Sequence, residues 1–373
     1  ILFNEVENLE MKKILFIVDN LGKGGAQSIT SALANFLSRS SLIKVTVCAL
    51  DNTNQECHLE PSVELISLNI RHNFSYGKLW KRKTLTKAEQ VMIEEKINKR
   101  NYNLIILGFH NGYYLYDYLR QKDKIWFWVH GEILERRAFK DIWGQLRSYL
   151  RYERHKIYFK QLLKGKRIVI VSKHLEEAYK KILESSEFVT IPNGIELPEN
   201  TNRFNSKKWD ALFLGRLVNL KQVDHTIKAF YKANVSGKLG ILGDGPEILP
   251  LKNLVNKLNL QNRVDFLGWS SSPQDFICQS RCVVMSSSSE GSPISLLQAL
   301  SLDVPIVSYN SSSIALLFDN PIMNRYLIPK NDIEKLAIAL KECINHPYDI
   351  PKEVKSIIDM ETMAKTFINL IQD

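Results

Sequence analysis

The sequence predicts an α/β protein made of two Rossmann-like domains, and three observations predict it. Short, almost continuous apolar runs recur along the 373 residues, as the strands of a parallel sheet covered on both faces require. Stretches with helical spacing separate these runs, which favours right-handed βαβ units. The runs also form two series, with a polar, Pro- and Asn-containing stretch between them that is typical of an interdomain linker.

Each series contains five predicted strands. The first series comprises residues 13–18, 44–50, 104–109, 125–129 and 168–172, and the second comprises 210–214, 238–242, 263–267, 282–286 and 304–308.

The domain boundaries follow from the two series and from the helical spacing at the end of the chain. We expect an upstream extension or expression remnant before Met11, an N-terminal domain, a linker, a C-terminal domain and a closing helix, over residues 1–10, 11–196, 197–207, 208–351 and 352–373. Open α/β sheets bind ligands beyond the carboxyl ends of their strands, so a cleft between the two domains is the expected site.

The composition excludes several classes of protein. Hydrophobic residues make up 45 % of the chain and charged residues 24 %, which is an ordinary globular balance. No apolar run reaches the ~18 residues that a membrane-spanning helix needs. The five cysteines are scattered and form no C-x-x-C pair, which argues against a disulfide framework or a zinc site and for a reducing, cytoplasmic location.

The net charge of +10 is concentrated in residues 71–173, which contain 24 Lys or Arg and 9 Asp or Glu. Many aromatic residues are interleaved with these basic residues. Such a stretch suits an anionic membrane surface, a phosphorylated acceptor or nucleic acid, and the plain alternative is a solvated basic face with the aromatic residues in the core. Nucleic acid is disfavoured because the chain carries no helix-turn-helix, zinc-finger or RNA-platform signature.

A glycine-rich turn follows the first predicted strand. It contains Gly22, Gly24 and Gly25, and helical spacing begins directly after it. Bare backbone N–H groups at a helix N-terminus let a phosphate or a sugar approach closely. Because position 27 is not glycine, the G-x-G-x-x-G pattern is incomplete, and a plain tight turn stays open as the alternative.

The second domain opens with a strand followed by two cations, Arg216 and Lys221. Two cations at the carboxyl end of a strand can hold a diphosphate, and arginine adds a two-pronged donor set. The alternative is a pair of solvent-facing charges. The run Gly-Asp-Gly-Pro at 243–246 predicts a turn capped by Asp244.

The stretch 286–300 is the most specific of the chain. It begins at the end of a strand, and Ser292 is expected to be the N-cap of the next helix, with Pro293 at its first position. Free amides near Ile294 would form a second anion site. Glu290 precedes the helix and is expected to accept hydrogen bonds from sugar hydroxyls.

Together these motifs resemble family 4 of the retaining glycosyltransferases, which have the GT-B fold of two Rossmann-like domains facing each other across a cleft. The resemblance covers most of residues 11–370. It rests on the glycine turn 24–25, Val129-His130, Ile191-Pro-Asn-Gly-Ile195, Leu214-Gly-Arg-Leu217 with Lys221, Gly243-Asp-Gly-Pro246, Phe266-Leu-Gly268, and Glu290-Gly-Ser-Pro293 with Gln298.

The resemblance implies a role for each matched residue. Arg216 and Lys221 would bind the donor diphosphate and stabilise the leaving group, Glu290 would orient the sugar hydroxyls, and His130 would lie near the donor sugar. The implied substrate-binding residues are Gly24, Gly25, Leu267, Gly268, Gly291, Ser292, Pro293, Ile294 and Gln298.

The resemblance also implies an activity. The chain would be a retaining, metal-independent hexosyltransferase with no cofactor, and the absence of any D-x-D motif agrees with the lack of a metal. Its donor would be a nucleotide sugar, in particular a UDP-sugar, and its acceptor a growing surface glycan such as lipooligosaccharide or a lipid-linked oligosaccharide. The expected location is the cytoplasm, with a peripheral position on the inner face of the membrane.

One position departs from the family pattern. The family has two glutamates separated by seven residues, and the second of them, which meets the ribose, is Gln298 here. An amide still forms hydrogen bonds with ribose hydroxyls, but without charge. A catalytically weak or silent glycosyltransferase-like binding partner is therefore the alternative.

Overall fold

The computed structural model describes residues 10–371, except 23, 71–83, 109, 132–141, 199–206, 291 and 312–313. The chain divides into two compact units, the first made of residues 1–193 and 360–373 and the second of residues 194–359. These boundaries differ from the expected ones. Most of the expected linker, and of the expected extension at residues 1–10, lies outside the described residues.

The first unit contains a seven-stranded parallel sheet. Its strands are β1 (Lys12–Val18), β2 (Ile43–Ala49), β3 (Glu64–Ser67), β4 (Leu104–Gly108), β5 (Ile125–Val129), β6 (Arg167–Ile170) and β7 (Glu187–Thr190). Their spatial order is β3-β2-β1-β4-β5-β6-β7, so the order reverses between β1 and β4. In open α/β sheets this reversal is where a ligand crevice forms.

The α-helices among the described residues of this part of the chain are α1 (Gly25–Ser38), α2 (Lys87–Ile93), α3 (His110–Tyr114), α4 (Ile142–Leu163) and α5 (Lys173–Lys180). Local chemistry fixes several of their ends. Thr86 and Glu89 form a capping box at the start of α2, and the Ser172 side chain accepts a hydrogen bond from Leu175 at the start of α5. In α1, Ile29, Leu33 and Leu37 are buried, which is the spacing of one helix face.

The second unit contains a six-stranded parallel sheet in the order β10-β9-β8-β11-β12-β13. The order reverses between β8 and β11. The strands are β8 (Trp209–Leu214), β9 (Leu239–Leu242), β10 (Val264–Gly268), β11 (Ser280–Met285), β12 (Ile306–Tyr309) and β13 (Leu327–Ile328). The helices are α6 (Val223–Ala233), α7 (Ile248–Lys257), α8 (Pro273–Cys278), α9 (Ile294–Ser301), α10 (Ile333–Asn345) and α11 (Lys352–Ile357).

The chain ends in two helices, α11 and α12 (Met360–Ile368), so the expected single closing helix over 352–373 is wrong. The break has a local cause. The Ile195 N–H donates to the Ile358 carbonyl at 2.7 Å, and Ile195 pairs with Asp359 in an isolated parallel bridge. These backbone groups are bound to an extended segment, so the helix cannot run through them.

All ten predicted strands are confirmed, and β3, β7 and β13 are additional.

Among the helices just given, which cover only the described residues, none combines the length and the apolar composition of a membrane-spanning helix.

Candidate functional site

The strand reversal in the second unit brings two predicted residues into contact. Lys221 lies in the loop after β8, and Glu290 lies in the loop after β11. The Lys221 Nζ donates to the Glu290 Oε1 in an ion pair, and the two side chains are only 17 % and 11 % exposed. The other carboxylate oxygen of Glu290 accepts no hydrogen bond from a residue that the structure describes.

Serines at the end of β11 hold the short 3₁₀ turn that carries Lys221. The Ser286 hydroxyl lies 2.7 Å from the Gln222 carbonyl oxygen and 3.1 Å from that of Lys221, and donates to them. The backbone N–H of Ser288 donates to the Leu220 carbonyl at 2.9 Å. Ser286 and Ser288 therefore fasten the Lys221 turn to the end of β11.

Arg216 lies in the same loop as Lys221 and is exposed. Its side chain forms no hydrogen bond or ion pair with another described residue. The backbone beside it is fixed, since the Leu217 N–H donates to the Asp244 carbonyl at 2.8 Å. The guanidinium group is therefore presented from an anchored loop and is available to an anion.

The Gly-Asp-Gly-Pro run packs directly on the loop that carries Arg216. Gly243 and Gly245 have φ angles of +147° and +157°, which favour glycine. A Cβ at Gly243 would overlap the Gly215 carbonyl oxygen, and one at Gly245 would overlap that of Leu217. The sequence predicts a capped turn here, but it does not reveal that both glycines are required by the close approach of a neighbouring loop.

Two of the predicted substrate-binding residues, Leu267 and Gly268, lie at the end of β10, beside this glycine run. The Gly268 carbonyl accepts a hydrogen bond from the Gly243 N–H at 2.7 Å, and Gly268 has a φ of +69°. Leu267 is half-buried, and its side chain lies over Gly240 of the adjacent strand. The loops after β8, β9 and β10 thus form one hydrogen-bonded layer at the carboxyl end of the sheet.

The helix after Glu290 begins one residue later than expected. Its N-cap is Pro293, whose ψ of 104° is extended, and its first residue is Ile294. Ser292 is therefore not the N-cap, and Pro293 is not at the first helical position. No side chain caps this end, so its first amides are not used by a cap. Gly291 lies outside the described residues.

Gln298 lies on the second turn of α9 and is half-buried. Its side chain forms no hydrogen bond with any described residue. The amide is therefore available to a ligand. Its contact with a ribose, which the resemblance to the glycosyltransferase family implies, stays a prediction.

The strand reversal in the first unit presents a carboxylate that the sequence analysis did not select. Asp19 follows β1, and it accepts hydrogen bonds from the Asn111 side-chain amide at 2.9 Å and from the Gly112 backbone N–H at 3.0 Å. Burial raises the pKa of Asp19 from 3.8 to about 6, against these hydrogen bonds, which lower it. The only sequence signal was a charged residue at the end of an apolar run.

The predicted residues of the first unit lie after β1 and β5. Gly24 is the N-cap of α1 with no side-chain hydrogen bond, and the helix begins at Gly25, so the glycine turn leads directly into a helix end. The His130 ring packs on Trp128 with 4.2 Å between ring centroids. Burial lowers the pKa of His130 to about 3, so this histidine is neutral at physiological pH. Its contact with a donor sugar stays a prediction.

Comparison with known proteins finds a family, sequence relatives and solved structures that resemble this chain. Residues 196–359 match the family described as Glycosyl transferases group 1. The poly(glycerol-phosphate) alpha-glucosyltransferase of Bacillus subtilis (strain 168) is 28 % identical over 193 residues, which are 50 % of this chain and 29 % of that protein. The lipopolysaccharide 1,6-galactosyltransferase of Escherichia coli (strain K12) is 27 % identical over 166 residues, which are 43 % of this chain and 46 % of that protein.

The chain thus spans less than half the length of both relatives. A solved structure resembles almost all of it. The crystal structure of Anabaena HepE in complex with UDP and glucose matches with a TM-score of 0.71 and 16 % identity, over 96 % of this chain and 98 % of that one. The chain has the GT-B fold, and residues 196–359 of its second unit resemble the glycosyl transferases group 1 family.

Proposed function

We propose that this chain is a retaining glycosyltransferase that moves a hexose from a UDP-sugar to a growing surface glycan. The observation that carries the proposal is the grouping of Arg216, Lys221 and Glu290 after β8 and β11. These strands flank the reversal in a sheet whose residues match a glycosyl transferase family. A crevice at such a reversal is where open α/β sheets bind nucleotides.

The chemistry follows from where charge develops. As the bond between the anomeric carbon and the phosphate oxygen breaks, negative charge grows on the departing diphosphate, and preorganised cations stabilise it. Arg216 supplies a two-pronged donor set, and Lys221 supplies a compact charge. We propose that, when the donor binds, the Lys221 ammonium leaves Glu290 and pairs with the diphosphate. The Glu290 carboxylate then accepts hydrogen bonds from the sugar hydroxyls.

Retention is proposed to occur by attack on the face that the diphosphate leaves. The acceptor hydroxyl oxygen forms the new bond to the anomeric carbon, and its proton passes to the departing phosphate oxygen. This scheme needs neither an enzymatic nucleophile nor a metal ion, and we nominate neither.

The remaining predicted residues complete the donor and acceptor sites in the proposal. Leu267 and Gly268 would meet the uracil base, and Gln298 the ribose. Ser292, Pro293 and Ile294 at the start of α9, together with Gly291, would contact the donor, while His130, Gly24 and Gly25 of the first unit would serve the donor sugar and the acceptor.

The acceptor class is supported by the relatives, whose names specify a poly(glycerol-phosphate) and a lipopolysaccharide acceptor. We propose a lipid-linked or lipopolysaccharide-type glycan for this chain, reached at an anionic membrane surface from the cytoplasm. UDP and glucose in the HepE structure support the choice of a UDP-hexose donor.

The second candidate function is a binding partner with weak or no catalysis, and Gln298 favours it. Both candidates bind nucleotide, so binding alone does not separate them. The test is UDP release from a panel of UDP-sugars, with a soluble glycan acceptor and with EDTA present. Acceptor-dependent release in EDTA supports the transferase, nucleotide binding without release supports the silent partner, and no UDP binding contradicts both.

A further inference from the structure

The longest helix of the described residues, α4, exposes an apolar stripe that is contiguous from Ile142 to Leu150 and resumes at Ile157 beyond Glu153. Its members, Ile142, Trp143, Leu146, Leu150 and Ile157, are between 46 % and 84 % exposed. At 3.6 residues per turn these five positions fall within an arc of about 100°. Exposed apolar residues scattered singly need no explanation, but a contiguous apolar stripe marks an interaction surface.

The stripe is not the face by which α4 packs on its own unit. The buried positions of α4 are Ser148, Phe159 and Leu163, and these lie on the opposite side of the helix. The helix therefore has one apolar face for the core and a second one directed outward. Within the described part of the chain, the side chains of this second face stay exposed.

Charge identifies the partner of this stripe. Residues 142–163 contain five Lys or Arg and one Glu. Arg147 is exposed along one margin of the stripe, and Lys160 is exposed along the other. Long basic side chains beside an apolar face can reach anionic headgroups while the apolar groups enter the acyl boundary, and a tryptophan such as Trp143 suits that boundary.

The same charge disfavours a second copy of this chain as the occupant. Pairing two such stripes would bring two helices together that each carry an excess of four positive charges, and this repulsion opposes the apolar contact. An anionic bilayer instead gains from the basic side chains that flank the stripe.

We propose that α4 lies in the plane of an anionic membrane and inserts the stripe below the headgroups, so that the protein binds the bilayer through its first unit. The inference deepens the proposed function, because it specifies the element that would bring the enzyme to a lipid-linked acceptor. It gives the basic stretch of the sequence a defined point of contact.

The test is flotation of the full chain with vesicles of phosphatidylcholine and phosphatidylglycerol, compared with phosphatidylcholine alone. We expect binding only to the anionic vesicles, weakened by salt. The triple variant W143Q/L146Q/L150Q is expected to bind at least tenfold more weakly. The matched control Y231Q/L249Q/I338Q, which removes three exposed apolar side chains from helices of the second unit, is expected to bind like the wild type.

Three outcomes would overturn the proposal. They are no flotation of the wild type, equal flotation of the triple variant, and a wild-type dimer in sedimentation that the triple variant abolishes without any vesicle binding. Transfer to a soluble acceptor separates this inference from the proposed function. The triple variant is expected to retain that activity, whereas R216A is expected to lose it and still float.

Discussion

At the scale of single residues, Arg216 and Lys221 have different surroundings although they share a proposed role. Arg216 is exposed and has no partner among the described residues, whereas Lys221 is largely buried and paired with Glu290. Removing the arginine should therefore affect only the ligand. Removing the lysine also leaves a largely buried carboxylate without its partner.

We expect R216A to lower transfer at least a hundredfold, the effect that loss of one transition-state donor typically has, and to leave the thermal midpoint unchanged. The measurement is initial-rate UDP release together with thermal unfolding. The control is R325A, which removes another exposed arginine of the second unit, one that pairs with Glu342. Wild-type rates in R216A would remove the diphosphate clamp from the mechanism.

Lys221 should show the added structural effect. K221M is expected to abolish transfer and also to lower the free energy of unfolding by about 1–3 kcal/mol, because the Glu290 carboxylate keeps its burial but loses its partner. The double variant K221M/E290Q should recover most of that stability while remaining inactive. Equal stability of the two variants in chemical denaturation would show that the pair is not coupled.

Asp19 gives a stability that depends on pH. Its pKa is raised in the folded protein, so its favourable contribution is complete below pH 3.8 and is lost as the pH rises through about 6. Asparagine is neutral throughout. The difference in the free energy of unfolding between D19N and the wild type should therefore grow in favour of D19N by about 1 kcal/mol between pH 5 and pH 7.5. Urea unfolding measures it.

Substitution of an exposed aspartate, D123N, serves as the control for this profile, and we expect no such growth. A D19N advantage that is flat or falls with pH would contradict the assignment of a buried, proton-binding carboxyl group to this position.

At the scale of elements, the loop after β8 and the loop after β9 approach too closely for any side chain at Gly243. We expect G243A to lower the free energy of unfolding by at least about 3 kcal/mol, because the added Cβ meets a backbone carbonyl that is itself held in the loop layer. UDP affinity, measured by calorimetry, should fall with it, since the displaced loop carries Arg216.

The control separates the clash from the backbone angle. Gly165 has a φ of +69°, but a Cβ there would meet nothing within 4 Å. G165A should therefore cost only about 1 kcal/mol, the penalty of a left-handed residue. Similar losses in the two variants would mean that the close approach at Gly243 has no energetic importance.

The elements that the sequence predicted and those it missed differ in their place in the sheets. The ten predicted strands are mostly continuous apolar runs, such as β5, whose five residues are all buried. The three missed strands are the edges β3, β7 and β13, with four, four and two residues. An edge strand has only one neighbour and little cover, so its sequence can be short and mixed, and periodicity does not reveal it.

The site shows the same division. Arg216, Lys221 and Glu290 follow strands that the sequence predicts clearly, so their places at the carboxyl end of one sheet could be anticipated. The contacts that hold them could not. The hydrogen bond from Ser286 to the Lys221 turn and the approach at Gly243 join segments far apart in sequence, and only the strand order brings them together.

At the scale of the whole molecule, the chain returns to its first unit after completing the second. Phe367 of α12 is fully buried and packs against two residues of the first sheet, Trp128 at 4.9 Å and Phe16 at 6.4 Å between ring centroids. Helix α12 is therefore part of the core of the first unit, although the whole second unit precedes it in the sequence.

The final prediction concerns this return. F367A should lower the free energy of unfolding by about 3–5 kcal/mol, because it leaves a cavity among aromatic rings. Since Trp128 contacts Phe367 directly, tryptophan fluorescence should show F367A unfolding at a lower denaturant concentration than the wild type. The exposed substitution I338A is the control and should have no effect. UDP affinity below the F367A transition should stay unchanged, because the proposed nucleotide contacts belong to the second unit; a loss of affinity equal to that of G243A would contradict this separation.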